Sequence, residues 1–350
     1  MRKELLILAL IIVLGVALRV AVIPVYGGTY KPVDVYFVDA QAPRLILSLQ
    51  NPYAYTYAVH NYTTSVFAYL PMVPIYYLPF YLLGDVRYGN IFADVMIMLA
   101  LFWIAKSFKL KTAVYAPLAF AVLPWSIWLT SITATNFMVG TAFLTLSLAA
   151  LLRKKYTIVA VLLGLGVATN QLVSLTLPLF AYYYWKEGKL SRFLPSLAVA
   201  AAIILPFIFA APSKFYYDIV EYQFTRSLQA DGPFSLYSIL NTFLRIDLNT
   251  LTRIVIFSVS YLLAAFAFRK KSNLLILAAG IVLFSAAFVL PVNGLWNYFL
   301  PTFALCCILA PLAGDEVDRR MLGVKWWPHI FKYEEADTEN QVKAADTKSF

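Results

Sequence analysis

The sequence predicts an all-α polytopic membrane protein with about ten to twelve membrane segments and two extracytoplasmic loops. Three observations predict it. Hydrophobic residues make up 61% of the 350 positions and charged residues only 13%, and the mean hydropathy is +0.74, far from the mixture of a soluble globular chain. Apolar runs long enough to cross a hydrocarbon core, about 20 residues each, recur along most of the length. The basic residues fall in short clusters between those runs: Lys106/Lys109/Lys111, Arg153-Lys154-Lys155, Lys186/Lys189/Arg192 and Arg269-Lys270-Lys271. That is the pattern of cytoplasmic loops, so the net charge of +10 is read as membrane orientation and no nucleic-acid partner is expected.

The first run, Leu5 to Val25, follows Arg2 and Lys3. It is too long for a signal peptide and no small-residue cleavage site follows, so it is expected to be an uncleaved span. Further spans are expected at 88–105, 112–129, 135–152, 156–172, 173–185, 193–211, 251–268, 273–290 and 296–313. The run 67–84 carries Pro71, Pro74 and Pro79, each of which removes a helix hydrogen bond. If this run crosses, the basic clusters share a side with the loop 27–66. If it dips in and returns, they fall inside with the N-terminus, and charge bias favours this re-entrant or interfacial form. The loops 27–66 and 212–250 then share the outer face. Residues 36–50 are expected to form an interfacial amphipathic helix with Phe37, Leu45 and Leu49 along one side.

Residues 1–313 read as one integral membrane domain and 314–350 as a cytoplasmic polar tail, partly disordered. No internal repeat of the transporter kind is visible. Cys306 and Cys307 are adjacent and poorly placed to pair with each other, and His60 and His329 stand too far apart in sequence to suggest a histidine metal site.

Acids are scarce, so their placement is informative. Outside the tail they are Glu4, Asp34, Asp39, Asp85, Asp94, Glu187, Asp218, Glu221, Asp231 and Asp247. Six lie in the two outer loops: Asp34, Asp39, Asp218, Glu221, Asp231 and Asp247. Glu4, Asp85 and Glu187 are expected at inner helix ends in structural or solvated roles. Two facing outer loops with carboxylates and arginines suit transfer of a sugar from a lipid-linked donor. The acceptor hydroxyl needs a carboxylate to take its proton, and the leaving phosphate needs cationic donors, for which arginine has the bidentate geometry. Asp34 with Arg44 or Arg226 supplies those parts. Aromatic residues, 16% of the chain, suit both interfaces and sugar rings.

At these residues the chain resembles a family. Asp34-Val-Tyr-Phe followed by Ala40, Leu47 and Asn51-Pro52-Tyr53 resembles the first outer loop of the GT-C glycosyltransferases, and more narrowly of the polyprenyl- or dolichyl-phosphate-mannose-dependent mannosyltransferases. Tyr69-Leu-Pro71 with Leu78-Pro79 and Ala93-Asp94 resembles the proline-rich segment and following helix of that group. Tyr222-Gln-Phe-Thr225-Arg226 with Phe234-Ser235-Leu-Tyr237 resembles the second outer loop of the first mannosyltransferase of glycolipid-anchor synthesis. Asn297-Tyr298-Phe-Leu-Pro301 resembles the entry to a late helix there. Two departures stand out. The family's paired acids are Asp-x-Asp, whereas Asp34 and Asp39 lie five apart, and Ser227, Leu228 and Gln229 replace the basic residues that follow Thr-Arg. The resemblance implies inverting transfer of a hexose, mannose first, from a polyprenyl or dolichyl phosphate to a glycan, lipid or protein acceptor. The active site would be extracytoplasmic, in a cell membrane or one of endoplasmic-reticulum type.

Each assignment competes with a plainer one. Asp34 is the general base or an N-cap on the interfacial helix. Asp39 orients Arg44, holds the acceptor, or is itself the base. Arg226 and Arg44 bind donor phosphate or meet lipid headgroups. Arg19 and Asp94 form a structural ion pair inside the membrane or touch substrate, and Tyr53 and Tyr222 are structural or substrate-facing. Asn170 and Gln171 mark a helix break or bind sugar hydroxyls, Asn61-Tyr-Thr63 is a glycosylation sequon, and Gly164 and Gly166 permit close helix packing. No obligatory metal is expected, although paired acids can hold Mg²⁺ or Mn²⁺. The rival class is a transporter or flippase of lipid-linked sugar, which predicts charges and broken helices at the bilayer midplane.

Overall fold

The computed structural model describes residues 2–26, 34–59, 62–225, 234–268, 275–292 and 295–311, so Arg226, Asp231, the cluster 269–271, His60, Asn61 of the sequon and the residues from 312 on lie outside it. Helix α1 (Arg2–Tyr26) is followed by α2 (Asp34–Leu47), a ribbon of β1 (Tyr57–Val59) and β2 (Tyr62–Thr64), and α3 (Met72–Leu82). The bundle continues through α4 (Arg87–Ser107), α5 (Tyr115–Ala121), α6 (Pro124–Ser131), α7 (Phe137–Leu152), α8 (Tyr156–Val167), α9 (Gln171–Ser174), α10 (Leu177–Lys186) and α11 (Leu194–Ala210). Short helices α12 (Pro212–Tyr216), α13 (Tyr222–Thr225) and α14 (Leu236–Leu244) lead to α15 (Thr250–Phe268), α16 (Leu275–Val289) and α17 (Leu300–Cys306). The described chain is helical apart from the ribbon, which pairs Tyr57 with Thr64, Ala58 with Thr63 and Val59 with Tyr62. Three helical stretches, Arg2–Pro24, Arg87–Ser107 and Leu190–Ala210, are long and apolar enough to cross a membrane.

Helix α7 is the centre. Fourteen of its 16 residues are buried, and it packs against α4, α8 and α17. Its Thr141, Thr145 and Ser147 hydroxyls donate to carbonyls one turn back (2.7, 2.9 and 2.6 Å), which lets polar side chains sit in an apolar core. At the rim, α1 turns Leu6, Leu10 and Val13 outward, as a lipid-facing helix does. Gly164 brings α8 against α11: a Cβ there would lie 2.7 Å from the Ser196 carbonyl oxygen, so the sequence's small residue is what permits the approach.

Several expected elements differ. The run 112–129 is not one span but α5 and α6, because Leu123 precedes a proline and takes an extended conformation (ψ 109°). The runs 156–172 and 173–185 break into α8, α9 and α10, with the Asn170 Oδ1 accepting from the Leu172 N–H (2.8 Å) to start α9. The run 296–313 begins as a 3₁₀ turn, Trp296–Phe299, before α17. In 67–84 the prolines are mostly harmless: Pro71 caps α3, Pro74 is in its first turn, and only Pro79 is interior. At 11 residues, α3 rises about 16 Å, half a hydrocarbon core. Within α2 the buried side is Val35, Val38, Ala42 and Leu45. Leu49 is outside the helix and 97% exposed, with a positive φ of 55°, so it does not share the face expected for it.

Candidate functional site

Asp34 opens α2 with its side chain exposed, and its Oδ1 accepts from the Val35 N–H (2.9 Å). Five residues turn a helix by about 140° beyond one revolution, so Asp39 points elsewhere. It is fully buried. Its Oδ1 accepts from the Asn136 Nδ2 (3.3 Å), while its Oδ2 is buried with no hydrogen-bond partner. Burial pushes the Asp39 carboxyl well above the ordinary carboxylate range; the Asn136 bond opposes the shift and the Asp34 charge adds to it. Arg44 lies in the last turn of α2 with an exposed side chain, so the expected pairing of Asp39 with Arg44 is not formed.

Helix α2 is clamped to the ribbon by Gln41. Its Nε2 donates to the Ala58 carbonyl (2.7 Å) and its Oε1 accepts from the Ala58 N–H (3.2 Å), filling the strand edge with a side chain. The Asn-Pro-Tyr segment is a 3₁₀ turn capped by Asn51. It delivers Tyr53 into an aromatic cluster with Phe67, Phe207 and Phe215, where the Tyr53 hydroxyl donates to the Tyr69 carbonyl (2.7 Å). Tyr53 is completely buried, a structural position. Tyr222 is half-buried, its ring centroid 6.4 Å from that of Tyr217.

The 212–225 segment reaches this cluster through Asp218, a buried acid that the sequence counts among the loop acids without giving it a role. It sits in a π-helical turn, Tyr217–Glu221. The Lys214 Nζ lies 2.5 Å from its Oδ1, and its Oδ2 accepts from the Phe67 N–H (3.0 Å). Burial raises its carboxyl above the ordinary range, against the lowering by Lys214 and the Phe67 N–H. Gln171 adds a second tie, donating from Nε2 to the carbonyls of Ala68 (3.1 Å) and Ile219 (3.5 Å). Asn170 and Gln171 are thus occupied in shaping the break.

Arg19 and Asp94 form a wholly buried ion pair. The guanidinium is engaged all round, also reaching the carbonyls of Gly15 (3.1 Å) and Ala121 (2.9 Å) and the Ser126 Oγ (2.7 Å), and Thr130 donates to Asp94 (2.6 Å). With Glu4 bonded to Lys106 (2.9 Å), the pair sets α4 antiparallel to α1. The start of α4 therefore lies at the α2 end of the bundle. Asp85 is there, salt-bridged to Arg87 (2.5 Å), whose guanidinium lies 5.3 Å from the Tyr36 ring centroid. Asp85 therefore lies at the end of α4 opposite the one where Lys106 meets Glu4, so the two acids do not share the inner end expected for both.

Arg253 is the residue that sequence reading missed. It lies in the first turn of α15 and is 2% exposed. Its Nη1 donates to the Leu290 carbonyl (2.6 Å) and its Nη2 to the Thr250 Oγ1 (3.0 Å), and its Nε is buried with no hydrogen-bond partner. The guanidinium carbon is 5.8 Å from the Phe224 ring centroid and 5.2 Å from that of Tyr237. The motif Tyr222–Arg226 with Phe234–Tyr237 held the signal, since it supplies both rings. Its partner on α15 reads in sequence as a basic residue at a helix end. Among the described residues no group of three or more His, Cys, Asp or Glu side chains gathers as a metal site would.

The chain aligns over 91% of its length with the crystal structure of ArnT from Cupriavidus metallidurans bound to undecaprenyl phosphate, at a TM-score of 0.60 and 15% identity. This chain has the ArnT fold. The apo-state crystal structure of the same ArnT aligns over 84% of this chain at a TM-score of 0.54 and 15% identity. The chain covers 61% and 57% of the two ArnT chains. No protein-family model and no curated protein matches the sequence. In this ArnT-type fold α2, the ribbon, the 212–225 segment and the first turn of α15 are the places where acids, arginines and aromatic rings gather.

Proposed function

We propose that this protein is an integral membrane glycosyltransferase of GT-C type that moves a hexose, mannose first, from a polyprenyl or dolichyl phosphate to an extracytoplasmic acceptor. The observation that carries it is the likeness, over 91% of the chain, to the fold of an ArnT seen with undecaprenyl phosphate. The acids of α2 supply what the transfer needs. An acceptor hydroxyl attacking the anomeric carbon gives up its proton to a carboxylate, and that carboxylate must be charged and reachable. Asp34, exposed at the start of α2, is the reachable acid, whereas the burial of Asp39 favours its protonated form. Asp39 then serves as a hydrogen-bonding group beside the acceptor. Arg226 and Arg44 are the proposed ligands of the departing phosphate, which leaves as an anion needing cationic donors. No metal is required, because arginine supplies the charge that a divalent ion would. Glycan, lipid and protein acceptors all present the hydroxyl this chemistry uses.

The test is transfer of radiolabelled mannose from polyprenyl-phosphate-mannose to extracted lipid and glycan acceptors in proteoliposomes. Wild type is expected to transfer and Asp34→Asn to fall about 10²- to 10⁴-fold while remaining folded and still binding donor. Equal transfer by both would move the base to Asp39. No transfer by either, with movement of the lipid-linked sugar across the bilayer in its place, would make the protein a flippase.

A further inference from the structure

We propose that the basic end of the bundle carries a site for the phosphate of an anionic phospholipid: Lys189 and Arg192 of the α10–α11 connection hold it at the start of α8, together with the hydroxyls of Tyr156 and Tyr184. The site lies away from α2 and its acids, and no part of the glycosyl-transfer reading is needed for it.

Tyr156 opens α8 and is buried. Two cations meet on it. The Lys189 Nζ donates to its hydroxyl oxygen (3.1 Å) and lies 4.6 Å from its ring centroid, and the Arg192 guanidinium carbon lies 5.3 Å from the same centroid. The two charges are therefore no more than about 10 Å apart, the Debye length at 0.1 M salt, and they repel. They also stand at the wrong end of a helix. The α8 N-terminus has no side-chain cap, the exposed Lys154 and Lys155 precede it, and the helix dipole there favours negative charge. Among the described residues the ion pairs are Arg19–Asp94, Arg87–Asp85, Lys106–Glu4 and Lys214–Asp218, so no carboxylate neutralises Lys189 or Arg192. Glu187, the acid of this connection, acts on Tyr183.

An independent observation points to the same ligand. Tyr184 is fully buried and its hydroxyl has no hydrogen-bond partner, although buried polar groups are nearly always paired. Its ring packs against those of Tyr156 (5.4 Å) and Phe193 (5.9 Å), and Arg192 lies within electrostatic reach of it. The backbone holds these residues together: the Lys189 N–H donates to the Tyr184 carbonyl (2.8 Å) and the Arg192 N–H to the Lys189 carbonyl (2.9 Å). The unspent groups are all donors, namely the Arg192 guanidinium, the remaining ammonium hydrogens of Lys189 and the two phenol O–H groups. Donors with positive charge on one spot suit phosphate oxygens.

The flanks make that phosphate a lipid's. Leu190 and Leu194, on either side of Arg192, are exposed, and the exposed Trp185 in the last turn of α10 is a residue of the headgroup level. Arg153, just before α8, lies over Trp103 (4.1 Å), one turn from Lys106, which places the site at the end where Lys106 meets Glu4. A phosphate on Lys189 and Arg192 has its acyl chains beside Leu190 and Leu194, and a basic pocket between helices at this level takes a headgroup.

The plainer role is a cation–π clamp tying the α10–α11 connection to α8. Native mass spectrometry of the full chain separates the two. The chain is titrated with phosphatidylglycerol, with phosphatidylcholine of the same acyl chains, and with glycerol 3-phosphate as a headgroup without chains. Wild type is expected to bind phosphatidylglycerol at least about tenfold more tightly than either control. Arg192→Gln and Lys189→Gln should each lose at least about tenfold of that affinity, and Tyr184→Phe, which keeps the ring, about fivefold. Lys109→Gln removes the same charge at the same end, outside the site, and should lose nothing. In lipid-free detergent Arg192→Gln should melt no lower than wild type, because it relieves a repulsion. A lower melting temperature with unchanged phosphatidylglycerol affinity would make the residue a clamp and overturn the site. An equal loss in Lys109→Gln would reduce the preference to surface charge, and unchanged affinity in Tyr184→Phe would remove the built pocket. Glycerol 3-phosphate binding as tightly as the lipid would make the ligand a soluble phosphate instead. A wild type that does not distinguish the two lipids would overturn the site outright. No sugar donor enters this measurement, so each of these outcomes leaves the transfer reading standing.

Discussion

Asp39 sits on the inward side of α2 facing Asn136 of the α6–α7 connection, with Asp34 on its own helix and Tyr57 and Tyr77 within electrostatic reach from β1 and α3. Nothing cationic is among these neighbours, so ionising Asp39 in the folded chain is costly. A carboxyl whose folded-state pKa is raised holds its proton longer when folded than when unfolded. Its contribution to stability is therefore fully present below the ordinary carboxylate range and is lost as pH rises through the raised value. Asp39→Asn should melt above wild type at pH 8, with the gap closing below about pH 4. Thermal unfolding in detergent across that range checks it, and a wild type that is the more stable protein at pH 8 would refute it. Both acids of α2 were legible by elimination in a chain that avoids charge. Arg253 was not, because its meaning comes from two rings 16 and 29 positions away in sequence, and a helix-end arginine beside lipid has a sufficient explanation without them.

Helix α1 would drift against α4 if only apolar surfaces met, since neither presents a polar face to fix the register. The Arg19–Asp94 pair fixes it at one level and Glu4–Lys106 at another. Removing one member of the buried pair leaves an uncompensated charge. Asp94→Ala or Arg19→Ala should therefore each cost about 3–5 kcal/mol, whereas a joint replacement by Leu and Met should recover much of the loss. Denaturant or thermal unfolding of the three variants reads this directly; a joint variant as damaged as the single ones would show that the pair does more than hold two helices. The sequence exposed both partners as charges inside apolar runs. It also marked the break at Asn170-Gln171, where polar residues interrupt an apolar run, but it did not expose the one at Leu123-Pro124, where apolar composition continues through a backbone that stops being helical.

Charge is segregated along the whole bundle. Lys106 meets Glu4, Arg153 stacks over Trp103 near the same end of α4 (4.1 Å), and Lys189 and Arg192 face Tyr156 two residues on from Lys154. Asp34, Asp39, Asp85 and Asp218 collect at the opposite end with the ribbon and the aromatic cluster. The positive-inside bias expects the basic end to be cytoplasmic; on that orientation a cysteine placed at Lys154 should react with an impermeant maleimide only from the cytoplasmic side, and one at Gln50 only from the outside. The reverse pattern would invert the protein in its membrane. The basic clusters at 106–111, 153–155 and 186–192 were legible in the sequence, and the described residues of these clusters share the end of the bundle opposite α2.

The enclosure of α7 has a mechanical consequence. Sixteen residues rise about 24 Å, less than a typical hydrocarbon thickness of about 30 Å, whereas the 25 residues of α1 rise about 37 Å. A helix sheathed by its neighbours never meets lipid and has no mismatch to relieve, so bilayers of different thickness act on the rim alone. Thicker or thinner membranes would tilt or bend α1 and its fellow lipid-facing helices, and the inner helices that hold Asn136 beside Asp39 would keep their distances. Such a bundle would tolerate membranes of varied thickness without moving Asn136 from Asp39.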